Sequence, residues 1–423
     1  MSNGRPRAAL VAALAALFIA LPATASATWT GGAGPGSARS AALTMPTGNQ
    51  PTASVREPGG STVDVSWPGS SSGPLVTAFE VRSYDASTGT ARTVGASCAG
   101  IVVAASCSEA GVANGTWRYA VVPRNQAWAG AESALSDPIV VDTTPPTIAI
   151  AFPVHGSTYS STSWDAGCAT AICGSAADVG SNVASVDVSV RQGSGAYWTG
   201  TAFASASEVL LDATGTTTWR LPIAAASFPA DGAYTVRAVV TDAAGGSAAA
   251  SATFTMDRTG PAPTAMTLFN ASGAVTAGTD EVRITFSEPV AVSSICSAWS
   301  GTGDQSLGGA GVVVTIADGV LSSDVVTIAS GACTLHVGSV ATGGNYVLST
   351  STYSGSAAGT ESRLAWTAAT RTLTIHLGSQ ASGLANVLPQ SASTATYTPD
   401  AAITDSAGNA VNPAGFPATG QRF

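Results

Sequence analysis

Lysine does not occur in this chain of 423 residues, so every one of its 16 basic residues is arginine. Isopeptide staples of the Lys–Asn or Lys–Asp kind are therefore excluded, and any covalent cross-link has to come from cysteine. Charge is scarce altogether: 10% of residues carry it, against roughly a quarter in an average soluble domain. The arginines are scattered, and the formal net charge is −9. That excludes the clustered cationic surface through which nucleic acid is held. Histidine occurs at His155, His336 and His376, and none lies in a His-Glu-x-x-His pattern. There is no Asp-x-Asp-x-Asp calcium loop and no Arg-Gly-Asp. After the first residues, no apolar run approaches the roughly 20 residues needed to cross a bilayer, so no transmembrane segment is expected in the mature chain.

What the chain has instead is glycine (47), proline (22) and an abundance of Ala, Ser, Thr and Val. These lower helix propensity and suit short strands joined by turns. The N-terminus reads as an export signal over residues 1–27. Arg5 and Arg7 precede an apolar stretch from Ala8 to about Leu21, and Ala25-Ser26-Ala27 supplies a small-residue cleavage site. The mature chain is then expected to start near Thr28, with a loose arm over 28–44. At the other end Phe416-Pro417-Ala418-Thr419-Gly420 loosely resembles a sortase motif, without the leading Leu or a hydrophobic tail.

Two segments read as linkers, Asp142-Thr143-Thr144-Pro145-Pro146-Thr147 and Asp257-Arg258-Thr259-Gly260-Pro261-Ala262-Pro263. Each follows a strand-like run, and proline-rich linkers act as semi-rigid spacers. A pattern repeated at a spacing of roughly a hundred residues signals tandem modules. The expected modules are 45–143, 144–259 and 260–423. Within them Val63-Asp64-Val65-Ser66-Trp67, Phe79 to Tyr84, Trp117 to Val121, Val186 to Val190 and Arg371 to Gly378 alternate apolar and polar residues, as half-buried strands do. Short strands with regular turn signals give the fold class: all-β, three tandem immunoglobulin-like β-sandwich domains.

In the first module Trp67, Tyr119-x-Val121-x-x-x-Asn125 and Gly130-x-x-Ser133-x-x-Ser136 resemble a fibronectin type III domain. The resemblance implies that Trp67 and Tyr119 are core residues and that the Tyr makes a corner hydrogen bond. It also implies that the Gly-Ser stretch turns into the last strand. The second module, with Tyr234 to Gly246, looks like the bacterial Ig-like domains whose last hairpin turns on Asp-x-Ala-Gly. In the third, Glu281-Val282-Arg283-Ile284-Thr285-Phe286-Ser287-Glu288-Pro289-Val290 resembles the opening strand of Ig-like repeats of S-layer and adhesin proteins. The Thr-Asp-x-Ala-Gly turn occurs twice, at 241–245 and 404–408.

Six cysteines allow 15 full pairings. They fall two, two and two over the three modules, and an exported chain enters a disulfide-permissive compartment. The expected pairs are Cys98 with Cys107, Cys168 with Cys173, and Cys296 with Cys333.

No catalytic constellation emerges. Gly69-Ser70-Ser71-Ser72-Gly73 matches a nucleophile elbow but lies between strands with no helix after it. A carboxylate pair across separate strands, with Glu288 beside Pro289 as one member to consider, stays open. Asp142 and Asp257, which open the linkers, could each offer a carboxylate to calcium. Asp242 and Asp405 read as Asx-turn caps that need no metal. Aromatic stacking on sugars is possible at Trp198 and Phe203. Trp67, Trp117 and Trp219 read as core, leaving Trp29 and Trp128 as the better exposed candidates. The expectation is a non-enzymatic chain with no cofactor, no catalytic residue and no metal. It would be secreted, free or held at the cell surface, a spacer or adhesive whose partner is an unknown protein or glycan. The alternative is a carbohydrate-binding accessory protein of secreted polysaccharide degradation.

Overall fold

The computed structural model describes residues 44–69, 76–269, 273–309, 311–320, 323–355 and 361–423. The export signal, nearly all of the N-terminal arm, Trp29 and most of the 69–73 loop lie outside the described residues. Contacts divide the chain into two compact units. The first comprises residues up to Pro145 together with 178–182 and 242–247, and the second holds the rest.

The first unit contains β1 (Thr52–Val55), β2 (Val63–Ser66), β3 (Ala78–Asp85), β4 (Ala91–Arg92), β5 (Ile101–Val102), β6 (Ser106–Glu109), β7 (Gly115–Asn125), β8 (Trp128–Ala129) and β9 (Ile139–Val141). One sheet has the order β1-β2-β6. The other runs β4-β3-β7-β8, with β5 on β3 and β9 on β7. Alternation drives the layering: Val63 and Val65 are fully buried and Asp64 between them is not. They meet Trp67, Phe79, Val81, Tyr119 and Val121 in one core.

Two features of this core bear on the sequence reading. Residues 130–136 lie along β7 with serine hydroxyls in place of part of a backbone ladder. Tyr119 N donates to Ser136 Oγ at 3.0 Å and Val121 N to Ser133 Oγ at 3.0 Å. The Ser133 and Ser136 amides donate back to the carbonyls of Val121 and Tyr119. Tyr119 is core, but its hydroxyl makes no backbone corner. It donates to Glu109 Oε2 at 2.8 Å, and Arg92 holds the same carboxylate at 2.7 and 2.8 Å while lying 4.5 Å over the Trp117 ring. A buried charge requires partners, and Glu109, 2% exposed, draws the phenol to itself.

The second unit holds two cores. The first is built from β10 (Thr147–Phe152), β11 (Thr158–Tyr159), α1 (Ser161–Ala166), β12 (Ala171–Ala177), β13 (Val183–Gln192), β14 (Tyr197–Trp198), β15 (Phe203–Ser205), β16 (Leu211–Asp212), β17 (Thr218–Pro222), β18 (Gly232–Asp242) and β19 (Ser247–Met256). Sheet β10-β12-β17 faces β11-β19-β18-β13-β14-β15, with β16 on β13. Tyr234 makes the tyrosine corner expected earlier in the chain: its hydroxyl donates to the carbonyl of Ala230, four residues upstream, at 2.7 Å. The one-and-a-half-turn helix α1 is absent from the sequence reading. Ser160 and Ser163 close a reciprocal capping box at its start. It delivers Trp164 fully buried among Phe152, Phe228 and Phe254, with Nε1 bonded to the Ile223 carbonyl at 2.8 Å.

The second of these cores is formed by β20 (Pro263–Phe269), β21 (Glu281–Phe286), α2 (Val292–Ile295), β22 (Gln305–Gly308), β23 (Val312–Ala317), β24 (Val325–Ser330), β25 (Ser339–Ala341), β26 (Val347–Tyr353), β27 (Arg363–Thr367), β28 (Thr372–His376), β29 (Gln380–Ala385), β30 (Ser393–Thr398) and β31 (Phe416–Gln421). Its sheets have the orders β20-β21-β28-β27-β22 and β29-β26-β23-β24-β25-β30-β31. Phe286, Trp366, Tyr353 and Tyr397 fill the space between them.

The disulfides join Cys98 to Cys107, Cys168 to Cys173 and Cys296 to Cys333, with Cα separations of 5.1, 6.2 and 5.7 Å. No helix among the described residues is long and apolar enough to cross a membrane.

Candidate functional site

The repeated Asp-x-Ala-Gly turn is built twice in the same way. Asp242 Oδ1 accepts from the amides of Ala244 and Gly246, both at 2.8 Å. Asp405 Oδ1 accepts from the amides of Ala407 and Asn409 at 2.8 and 2.9 Å. In each the glycine takes positive φ, +87° at Gly245 and +88° at Gly408, which a side chain disfavours. The capping role expected of the two aspartates is thus filled by one oxygen of each, and the second oxygen is where the two turns diverge.

Each turn carboxylate belongs to a group of three. Asp142, Asp178 and Asp242 each bring one carboxylate oxygen within 4.8 Å of the others, and Asp257, Glu288 and Asp405 do the same. The sequence reading singled out Asp142, Asp242, Asp257, Asp405 and Glu288 separately, and missed Asp178. The signal for Asp178 was local: Ser181, three residues on, donates to its Oδ2 from both amide and hydroxyl, at 2.9 and 3.2 Å.

The group in the first unit is the drier one. Asp142 and Asp242 are 1% and 2% exposed. Asp142 Oδ1 accepts from Asn114 Nδ2 at 3.1 Å and from the Thr144 amide at 3.0 Å. Burial pushes the Asp142 carboxyl up, and the hydrogen bond from Thr144 together with the nearby Ser181 dipoles outweighs it, so it stays below the ordinary carboxylate value. Each of the three acids therefore spends one oxygen on nearby donors. The other oxygens, Asp142 Oδ2, Asp178 Oδ1 and Asp242 Oδ2, are buried with no hydrogen-bond partner. Glycines make the room, since a Cβ on Gly180 would strike Asp142 Oδ2 and one on Gly246 would strike Asp242 Oδ2. Among the described residues no arginine or histidine forms an ion pair with any of the three.

The group in the second unit is relieved differently. Asn409 Nδ2 donates to Asp405 Oδ2 and to the Asp257 carbonyl, both at 2.8 Å. Burial, and behind it the charges of Asp257, Asp405 and Asp231, push the Glu288 carboxyl up to about 7. Burial and the Asp405 charge also raise Asp257. This cluster relieves its crowding with an amide and with a Glu288 carboxyl that holds its proton up toward neutral pH.

The other candidates resolve into structure. His376 lies between Glu281 Oε1, 2.6 Å from Nδ1, and Arg363 Nη2, 3.0 Å from Nε2. Burial lowers it against the pull of Glu281. His336 pairs with Asp400, and His155 meets Thr253. Trp67, Trp198 and Trp219 are buried, and Trp198 packs on Phe203 at 5.2 Å. Trp128 is 55% exposed on β8.

Residues 159–258 and 338–413 match the bacterial Ig-like domain family. Among solved structures, the chain is similar to the chicken CNTN1 FN1-FN3 domains at 11% identity, over 89% of this chain and 99% of that one, with a TM-score of 0.22. It is similar to the fibronectin(III)-like modules of Clostridium thermocellum CbhA at 14% identity, over 50% and 91%, with a TM-score of 0.26. A two-domain fibronectin type III segment of chicken tenascin matches at 14% identity, over 48% and 98%, with a TM-score of 0.23. No curated protein matches the chain. The described residues form an all-β fold, and its segments 159–258 and 338–413 are similar to bacterial Ig-like domains.

Proposed function

We propose that the chain is an exported, non-catalytic protein whose three sandwiches, 45–143, 144–259 and 260–423, serve as spacers or adhesive binding modules at the bacterial surface. The observation that carries the reading is the state of the cysteines: all six are paired, one disulfide within each of these three segments, with none free. Such cross-linking belongs to an oxidising compartment, and the leader-like residues 1–27 support the same destination. The Ig-like family match supports a modular binding or spacer role. The fractions of a producing culture test the reading. The chain is expected outside the cytoplasm with Thr28 as its first residue; a chain that stays inside and begins at Met1 overturns it.

One observation, the exposed indole of Trp128, favours the second reading of a glycan-binding accessory module. Retention of the purified chain on cellulose, chitin or cell wall, lost in Trp128→Ala, selects that reading. Passage through all three selects the first.

A further inference from the structure

The acidic group in the first unit contains something that turn capping does not explain. Capping uses one oxygen of Asp242 and one of Asp178, and Asp142 likewise satisfies one oxygen on Asn114 and Thr144. Three further oxygens are left, on side chains that include two almost completely buried ones, with neither a donor nor a counter-charge. Buried polar atoms are ordinarily satisfied, and each exception calls for a physical account. Three like charges brought this close in a dry place disfavour the fold unless something positive sits among them.

We propose that Asp142, Asp178 and Asp242 form a binding site for a hard divalent cation of the calcium class. The donor set is all oxygen, which suits calcium and offers nothing to a soft metal. Calcium–oxygen distances of about 2.3–2.6 Å let two ligands of one ion stand up to about 5 Å apart, so the 4.8 Å limit of the cluster is compatible with one shared ion. The three ligands are already oriented, because the second oxygen of each is anchored by hydrogen bonds. Asp142 comes from the end of β9, Asp178 from the β12–β13 turn and Asp242 from the β18–β19 turn, so an ion here ties together three segments distant in sequence. The matching group at Asp257, Glu288 and Asp405 has no buried side-chain oxygen without a partner and is not part of the proposal. The inference stands independently of where the chain is exported.

The test uses the purified chain after chelation. Calcium chloride is titrated in by calorimetry, and thermal melts are recorded with calcium and with chelator. Binding at one site with a calcium-dependent rise in Tm is expected. Asp178→Asn keeps an acceptor for Ser181 and removes one charge. It should weaken calcium binding at least tenfold and abolish the rise in Tm, while the chelated protein melts no lower than its parent. Asp142→Asn should behave alike, so a folding defect in one variant does not decide the matter. Calcium binding that survives both substitutions, or no calcium response in the parent, overturns the site. A chelated protein whose Tm falls as pH rises, without a calcium response, assigns the cluster to a shared proton and equally overturns it. Magnesium chloride binding as tightly as calcium overturns the choice of ion.

Discussion

A carboxylate has two oxygens, and the difference between the two acidic groups comes down to what the second one meets. In the first unit it meets no hydrogen-bond donor; in the second unit Asn409 supplies a donor to Asp405, and the Glu288 carboxyl is raised toward neutral pH. Gly246 and Asn409 occupy the same place in the two turns, so one side chain decides whether the second oxygen of the turn aspartate has a donor. The protonation of Glu288 has a sign that can be worked out. Its carboxyl rises from an ordinary value of 4.5 to about 7 in the folded chain. The folded state therefore holds this proton more tightly than the unfolded state. The resulting stabilisation is full below pH 4.5 and is lost as pH rises through 7. Glu288→Gln should flatten that portion of the pH dependence, so that its Tm exceeds the parent's at pH 8 and not at pH 4.5. Thermal melts of both proteins in chelator across this range are the measurement.

At the scale of elements the Asp-x-Ala-Gly turn is one device used twice in two surroundings. Gly408 has open space where a Cβ would go, whereas a Cβ on Gly245 would meet the Pro58 side chain at 2.7 Å. Alanine at Gly408 should therefore cost only the left-handed backbone penalty, about 1–2 kcal/mol. Alanine at Gly245 should cost that and the displacement of Pro58 besides, which paired urea unfolding curves of the two variants will resolve. Strands were legible in the sequence because alternation is local, as in β2: Val63 and Val65 inward, Asp64 outward. The turns were legible because Asp and Gly act on their own backbone. Helix α1 was not, since six residues give no period to read and its reason for existing is the distant cage that receives Trp164. The parallel pairing of β11 with β19 was hidden for the same cause, being a contact across nearly a hundred residues. Of the candidate site, the aspartates that open linkers and close turns could be seen singly. Their meeting, and the part played by Asp178, depend on tertiary placement that no spacing encodes. The corner tyrosine was assigned to Tyr119 instead of Tyr234 because the pattern could not show the buried Glu109 competing for its hydroxyl.

For the molecule as a whole, cross-links within each core set where stability resides. Cys296 and Cys333 are 37 residues apart, Cys98 and Cys107 only 9. Loop-closure entropy makes the first bridge worth about 4 kcal/mol and the second about 2.5. Replacing each pair by serine should therefore lower the melting of its own core in that order, as calorimetric scans of the two double variants will show. The disulfides also have a simple order along the chain: first with second, third with fourth, fifth with sixth. For a chain emerging amino end first from a secretion pore, each partner appears before any cysteine of the next pair. An oxidase that joins thiols in the order they arrive makes the native set directly. For a chain exported as proposed, maturation then requires an oxidant and no reshuffling enzyme.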